Sequence, residues 1–179
     1  MPFAQQDVGN GFSVAIALEN GNGARYTIDS YVPDVVGGLA YTAGWGGLSA
    51  VVGYDSVWEE FAVKGRVDFN ANDAISLFVM AGWDSGGDDN LNYYAQWGGD
   101  WAVWVGGAWQ INEKSTFNFE VGYDDWENLS VAANIDYEIV PNLHIIPEVV
   151  YYDNLGDDPF LEVDDNWGGF LRLQANFGG

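Results

Sequence analysis

Apolar and polar residues alternate along most of this chain. In Phe117-Asn118-Phe119-Glu120-Val121-Gly122-Tyr123-Asp124 the odd positions are large and apolar, and the even ones are polar or glycine. The run 129–139 repeats the pattern. Successive side chains of a strand point to opposite faces, so each segment has one apolar and one polar face. The alternation predicts ten strands, at 11–19, 35–45, 48–55, 60–69, 74–83, 101–111, 117–124, 129–139, 143–152 and 167–177. Phe12, Val14, Ile16 and Leu18 share one face of the first; Leu171, Leu173 and Phe177 share one face of the last. Several segments carry Trp or Tyr near their ends. Such strands suit a barrel with lipid outside and a polar interior.

The connections fall into two sets. The segments 20–34, 56–59, 84–100, 125–128 and 153–166 are mostly long and acidic, whereas 46–47, 70–73, 112–115 and 140–142 are short. Gly46-Gly47 reads as a two-residue hairpin turn. Long loops at one end and short turns at the other are the asymmetry of outer-membrane barrels. The expected fold is therefore all-β: a transmembrane antiparallel up-and-down β-barrel of ten strands over 11–177, with an N-terminal tail at 1–10 and a glycine tail at 178–179. Closure is expected between the first and tenth strands, because open edges in hydrocarbon leave backbone groups unsatisfied. A soluble carbohydrate-binding β-sandwich, its Trp and Tyr stacking on sugars, accounts equally for the alternation. It accounts less well for a long unbroken apolar face in most of the strands.

Composition narrows the classes. The 179 residues suit one domain, and no run of 18 apolar residues exists, so transmembrane helices are excluded. A net charge of −22 with five Lys and Arg leaves no basic surface for nucleic acid. Nine Trp, ten Tyr and ten Phe argue against a disordered acidic chain. Without cysteine there are no disulfides or thiolate metal sites. The start Met1-Pro2-Phe3-Ala4-Gln5-Gln6-Asp7 has neither the basic nor the apolar region of a signal peptide.

Several stretches resemble the alphaproteobacterial general porin family, the group typified by Brucella and Rhizobium. They include Tyr31-Val32-Pro33-Asp34-Val35-Val36-Gly37-Gly38-Leu39, Ala43-Gly44-Trp45-Gly46-Gly47, Tyr94-Ala95-Gln96-Trp97-Gly98-Gly99-Asp100-Trp101, Asp124-Asp125-Trp126 and Asn166-Trp167-Gly168-Gly169. The resemblance implies a trimeric outer-membrane porin of about sixteen strands, of which this chain resembles the C-terminal ten; that size class leaves an aqueous channel. It also implies that the family's inward-folded constriction loop lies outside the matching region, and that Phe177 is the terminal aromatic read by the assembly machinery. The Met1 start, the partial match and Gly178-Gly179 point to an engineered or miniaturised barrel, with a monomer favoured over the trimer.

The polar faces carry the candidate chemistry. The inward charges are Lys64, Arg66, Asp68, Glu120, Asp136, Glu138, Glu148 and Arg172, read either as pore lining that selects ions or as a paired interior network. Arg172 and Glu148 are expected to pair across the last hairpin. Phe78, Met80, Trp104 and Phe170 are bulky enough to plug a narrow lumen. Asp84, Asp88, Asp89, Asp100, Asp153, Asp157, Asp158, Glu162, Asp164 and Asp165 read as a solvated loop face, since no spacing matches a calcium loop. His144 reads as a hydrogen-bonded interior residue. No nucleophile–base pair, phosphate loop or metal motif appears, so neither an enzyme nor a cofactor is expected. The function expected is a narrow passive outer-membrane channel for ions and very small solutes, cation-preferring, with lipid or detergent as its environment. A closed, non-conducting structural barrel is the alternative.

Overall fold

The computed structural model describes residues 3–19, 33–87, 92–156 and 165–176. It is one antiparallel sheet of eleven strands in chain order: β1 (Phe3–Gly9), β2 (Phe12–Glu19), β3 (Asp34–Ala43), β4 (Gly46–Asp55), β5 (Glu60–Asn72), β6 (Ile75–Asp84), β7 (Trp101–Asn112), β8 (Ser115–Asp124), β9 (Asn128–Val140), β10 (Leu143–Asn154) and β11 (Asn166–Ala175). Every neighbour in sequence is a neighbour in the sheet. Among the described residues no second sheet packs on the first, so the sandwich reading falls. Among them, too, no helix is long and apolar enough to cross a membrane.

The alternation translates directly into register. On the apolar face Val52 pairs with Val63 and Val63 with Trp83, while Val79 pairs with Val105 and Val105 with Val121. Val63, Val79 and Val105 are exposed with nothing packed over them. In water such a face would be an aggregation surface; in lipid it is the ordinary exterior of a barrel. Aromatic pairs band both ends of this face. Tyr54–Phe61 and Tyr151–Trp167 sit at the long-loop end, each with ring centroids 4.7 Å apart. Phe12–Tyr41, at 4.6 Å, sits at the short-turn end. Amphipathic rings at the two membrane interfaces form such bands.

Three expectations are corrected. First, residues 3–9, assigned to a tail, form β1, making eleven strands instead of ten. The signal was present: Asn10 and Gly11 have φ of 55° and 83°, and this Asn-Gly pair makes the two-residue turn that joins Gly9 to Phe12. Left-handed φ at both central residues is what such a hairpin needs. Second, the turn between β3 and β4 is Gly44-Trp45, not Gly46-Gly47, because Ala43 pairs with Gly46. Gly46 has φ 144°, and a Cβ there would lie 2.0 Å from the Asp68 carbonyl oxygen of the adjacent strand. Third, the expected partner of β11 was β2, but β2 lies between β1 and β3. The outer strands are β1 and β11, the sheet is open between them, and with an odd count they run the same way. An antiparallel closure would take an odd number of additional strands.

The close approach at Gly46 is testable. Gly46→Ala should cost about 1–3 kcal/mol, the range for a residue forced into a sparsely populated conformation. Gly65→Ala, where a Cβ meets nothing within 4 Å, should leave stability unchanged or slightly raised. Urea unfolding in detergent micelles, followed by tryptophan fluorescence, compares the two.

Candidate functional site: a strap and a charged recess on the polar face

The polar face is covered at the long-loop end by the segment 92–100. This segment was expected to stay in an outer loop; instead it folds back over β4 to β7. Ala95 and Trp97 are buried there with Ala62 and Ala102, and Tyr94 and Trp104 pack against them. This cluster is the conventional hydrophobic core of the described residues. Glycines in the strands make room for it. A Cβ at Gly53 would lie 2.5 Å from the Tyr94 ring, and one at Gly82 would lie 2.9 Å from the Trp97 ring. Glycine inside a strand often marks such an approach, and that was the sequence signal for the strap.

Aspartates at strand ends hold the strap down. Asp55 Oδ2 accepts from the Tyr93 amide at 3.0 Å, while its Oδ1 accepts from the amides of Val57 and Trp58 at 2.9 and 3.2 Å. Asp124 Oδ2 accepts from the Gly98 amide at 2.8 Å, and its Oδ1 from the Asn128 amide at 3.1 Å. Asp84 Oδ1 accepts from the Asn92 side chain at 2.7 Å and the Gly86 amide at 3.2 Å. Asp84 was read as part of a solvated face, yet it is 1% exposed, as is Asp55. A carboxylate that accepts backbone N–H groups can be buried because its charge is compensated. Asp88, Asp89, Asp157, Asp158, Glu162 and Asp164 lie outside the described residues.

Lys64, on β5, stands beneath the strap. Its Nζ is 4.9 Å from the Trp97 ring centroid and 5.2 Å from that of Trp104, and the two rings meet edge to face at 5.9 Å. No carboxylate lies within ion-pair distance of it among the described residues. Its charge is held by ring faces, an interaction worth about 0.5–2 kcal/mol.

Further down the same face, Arg66, Asp68, Phe78, Asn118, Glu120, Asn134 and Glu148 line a recess of about 420 Å³. Arg66 Nη2 meets Asp68 Oδ1 at 2.7 Å, and its guanidinium lies 3.8 Å over the Phe78 ring. Asn118 donates to Asn134 Oδ1 at 2.8 Å, and Asn134 donates to Glu148 Oε2 at 2.9 Å. Four predicted pore residues thus come together: Arg66, Asp68, Glu120 and Glu148. The other four do not join them. Lys64 is under the strap. Asp136 pairs with His144 Nδ1 at 2.6 Å, and Glu138 Oε1 accepts from the Asn142 amide at 3.0 Å, so both serve the β9–β10 hairpin. Arg172 lies opposite Ile146 while Glu148 lies opposite Phe170, so the expected Arg172–Glu148 pair does not form. Its cause is register: the two residues are offset diagonally, and Asn134 takes the carboxylate instead. Of the bulky residues, Phe78 lines the recess; Met80 pairs in register with Arg66 and Trp104. Trp104 joins the strap cluster, and Phe170 is exposed on the edge strand. Phe177 lies outside the described residues.

A single up-and-down sheet with a lipid-compatible face, aromatic bands at both ends and a charged opposite face defines the wall of a transmembrane β-barrel. The chain belongs to the porin subfamily, whose family model matches residues 4–178. It is similar to porin Omp2b of Brucella neotomae, 47% identical over 178 residues that cover 94% of this chain and 49% of that protein. Porin Omp2a of Brucella abortus (strain S19) is 47% identical over 173 residues, covering 94% of this chain and 54% of that protein. Porin Omp2b of Brucella suis is 44% identical over 195 residues, with 94% and 51% covered. The chain spans about half the length of the curated relatives it matches. No solved structure matches it at a significant level. Membership implies a transmembrane β-barrel of the outer-membrane kind, of whose wall this open sheet forms part.

The strap has an alkaline limit. Burial, reinforced by Asp34 and then Glu19, pushes the Tyr94 phenol well above its ordinary value. Its hydroxyl donates to Glu19 Oε2 at 3.2 Å. A raised value means that its contribution is complete below the ordinary phenol pKa of about 10, declines above it, and is lost once the pH has risen through the raised value. Trp97 emission should therefore shift red only well above the ordinary phenol value, as the pH climbs toward the raised one and the strap loosens. Tyr94→Phe should remove that alkaline transition while leaving the neutral-pH spectrum in place.

Proposed function

We propose that this chain forms the wall of a passive outer-membrane channel for ions and very small hydrophilic solutes, with a preference for cations. The observation that carries the reading is the recess: three carboxylates, Asp68, Glu120 and Glu148, face one guanidinium, Arg66, on the polar side of a sheet whose other side suits lipid. A polar lumen bordered by low-dielectric walls concentrates ions of opposite sign, and rings of acids favour cations. Passage of this kind needs no conformational cycle. The relatives carry the name porin, in keeping with that role. The strap supports a narrow passage, because Tyr94 and Trp97 occupy space on the polar face at the long-loop end. The lipid bilayer and small solutes are the partners this reading requires.

Reconstitution in a planar bilayer tests it. Discrete conductance steps and a reversal potential favouring the cation are expected across a potassium chloride gradient. Converting both Glu120 and Glu148 to glutamine should move the reversal potential toward zero, and converting both to lysine should reverse its sign. Raising salt should weaken the selectivity, as the Debye length falls from about 10 Å at 0.1 M to about 3 Å at 1 M. An anion preference in the unmodified chain would overturn the cation reading; absence of conductance would favour the closed barrel.

A further inference from the structure

A second cavity on the polar face, about 830 Å³, lies between the strap and strands β7 to β10. Its chemistry differs from that of the charged recess. Trp97, Trp104, Trp126 and Tyr152 line it together with amide and hydroxyl groups. These aromatics are not the ones that band the apolar face. Trp104 shares its face with Met80 and Gly122, and Tyr152 pairs with Ser130. Trp126 packs against the strap, since a Cβ at Gly98 would lie 2.8 Å from its ring. Trp126 and Tyr152 are 40% and 41% exposed, so ring surface remains open to a ligand.

The polar groups between these rings are already oriented. Asn128 donates to Asp124 Oδ1 and Oδ2 at 2.9 and 3.0 Å. Its Oδ1 accepts from the Tyr152 hydroxyl at 2.5 Å and from the Asn154 side chain at 2.8 Å. Asn154 also donates to the Trp126 carbonyl at 3.1 Å. The Tyr152 hydroxyl keeps its oxygen as an acceptor, and Ser130 and Gln96 add a hydroxyl and an amide to the lining. The carboxylate in the lining, Asp124, is 9% exposed and accepts from two backbone amides and the Asn128 side chain. Lys64 is not among the lining residues. Among the described residues the cavity therefore offers flat apolar faces and neutral hydrogen-bonding groups, and its lining carboxylate is already met by donors.

We infer that this cavity is a binding site for a neutral saccharide, whose ring C–H face stacks on the exposed ring of Trp126 and whose hydroxyls meet Tyr152, Ser130 and Gln96. A pyranose ring presents an apolar face and an equatorial rim of hydroxyls, which this arrangement complements. The volume falls within the range of roughly 300–1,000 Å³ of small-molecule sites. If the channel reading holds, the site lies at the long-loop mouth and selects among neutral solutes there. Binding itself does not depend on conduction.

The full chain in detergent is titrated with cellobiose, and separately with sorbitol, while tryptophan fluorescence is recorded. Cellobiose should give a saturable change and sorbitol, which has hydroxyls but no ring face, only a weak linear one. Trp126→Ala should weaken the cellobiose response at least tenfold, and Trp126→Phe should recover most of it. Tyr152→Ala, on another strand, should also weaken it and serves if Trp126→Ala does not fold, as judged by heat-dependent migration on a denaturing gel. A cellobiose response no different from that of sorbitol would overturn the proposal, and so would an affinity unchanged in folded Trp126→Ala. Saturable binding without bilayer conductance would keep the site and remove the channel; conductance without binding would do the reverse.

Discussion

Every backbone N–H and C=O that enters hydrocarbon needs a partner within the protein, because lipid supplies none. The antiparallel ladder answers that demand, and the rest of this structure depends on it. Ten consecutive strand pairs run from β1 to β11 without a crossover. Once the ladder is set, alternation places one set of side chains toward lipid and the other toward the polar side. The same constraint makes the two outer edges meaningful. They run in the same direction, so they cannot meet as antiparallel neighbours.

A single sheet has no opposing layer, and a conventional core has to be built some other way. Here the segment 92–100 supplies it by folding onto the polar face. Three aspartates at the ends of β4, β6 and β8 make that possible by accepting amide and side-chain N–H groups from the strap and its flanks. Burying a carboxylate is costly unless its charge is met by donors, and here the donors are the groups of a loop that would otherwise be unsatisfied. Two needs are resolved by one set of contacts. The acidity of the chain is thus not uniform in purpose: some carboxylates are structural, some line the recess, and others belong to hairpin turns.

The polar face is divided along its length. At the long-loop end it is aromatic and amide-rich around Trp97, Trp104 and Trp126. Below that it is charged around Arg66, Asp68, Glu120 and Glu148. Lys64, between Trp97 and Trp104, is the cation that links strap to wall. On the proposed channel reading, a solute entering at the long-loop end meets the aromatic, amide-rich region before the charged one.

Fold class, apolar face and the locations of ten of the eleven strands were legible in the order of residues, because side-chain alternation in a strand has a period of two and survives without knowledge of neighbours. The family resemblance was legible for the same chain, motif by motif. The one strand not expected, β1, was legible as well, in Asn10-Gly11, but Phe3–Gly9 itself lacks the alternating apolar run that marked the others. Other features depended on contacts between distant segments. Gly53 and Gly82 mark a close approach in the sequence, but not that Tyr94 and Trp97 are the rings that lie on them. Nor could spacing decide that Glu148 would turn to Asn134 instead of Arg172, since a diagonal offset within one hairpin is set by its turn and register. The sequence by itself determined which residues face lipid and which do not, because that is a local property of each strand. Tertiary structure alone decided which polar residues share a recess and that a loop folds inward, because those depend on contacts across several strands of the sheet and between a loop and the strands beneath it.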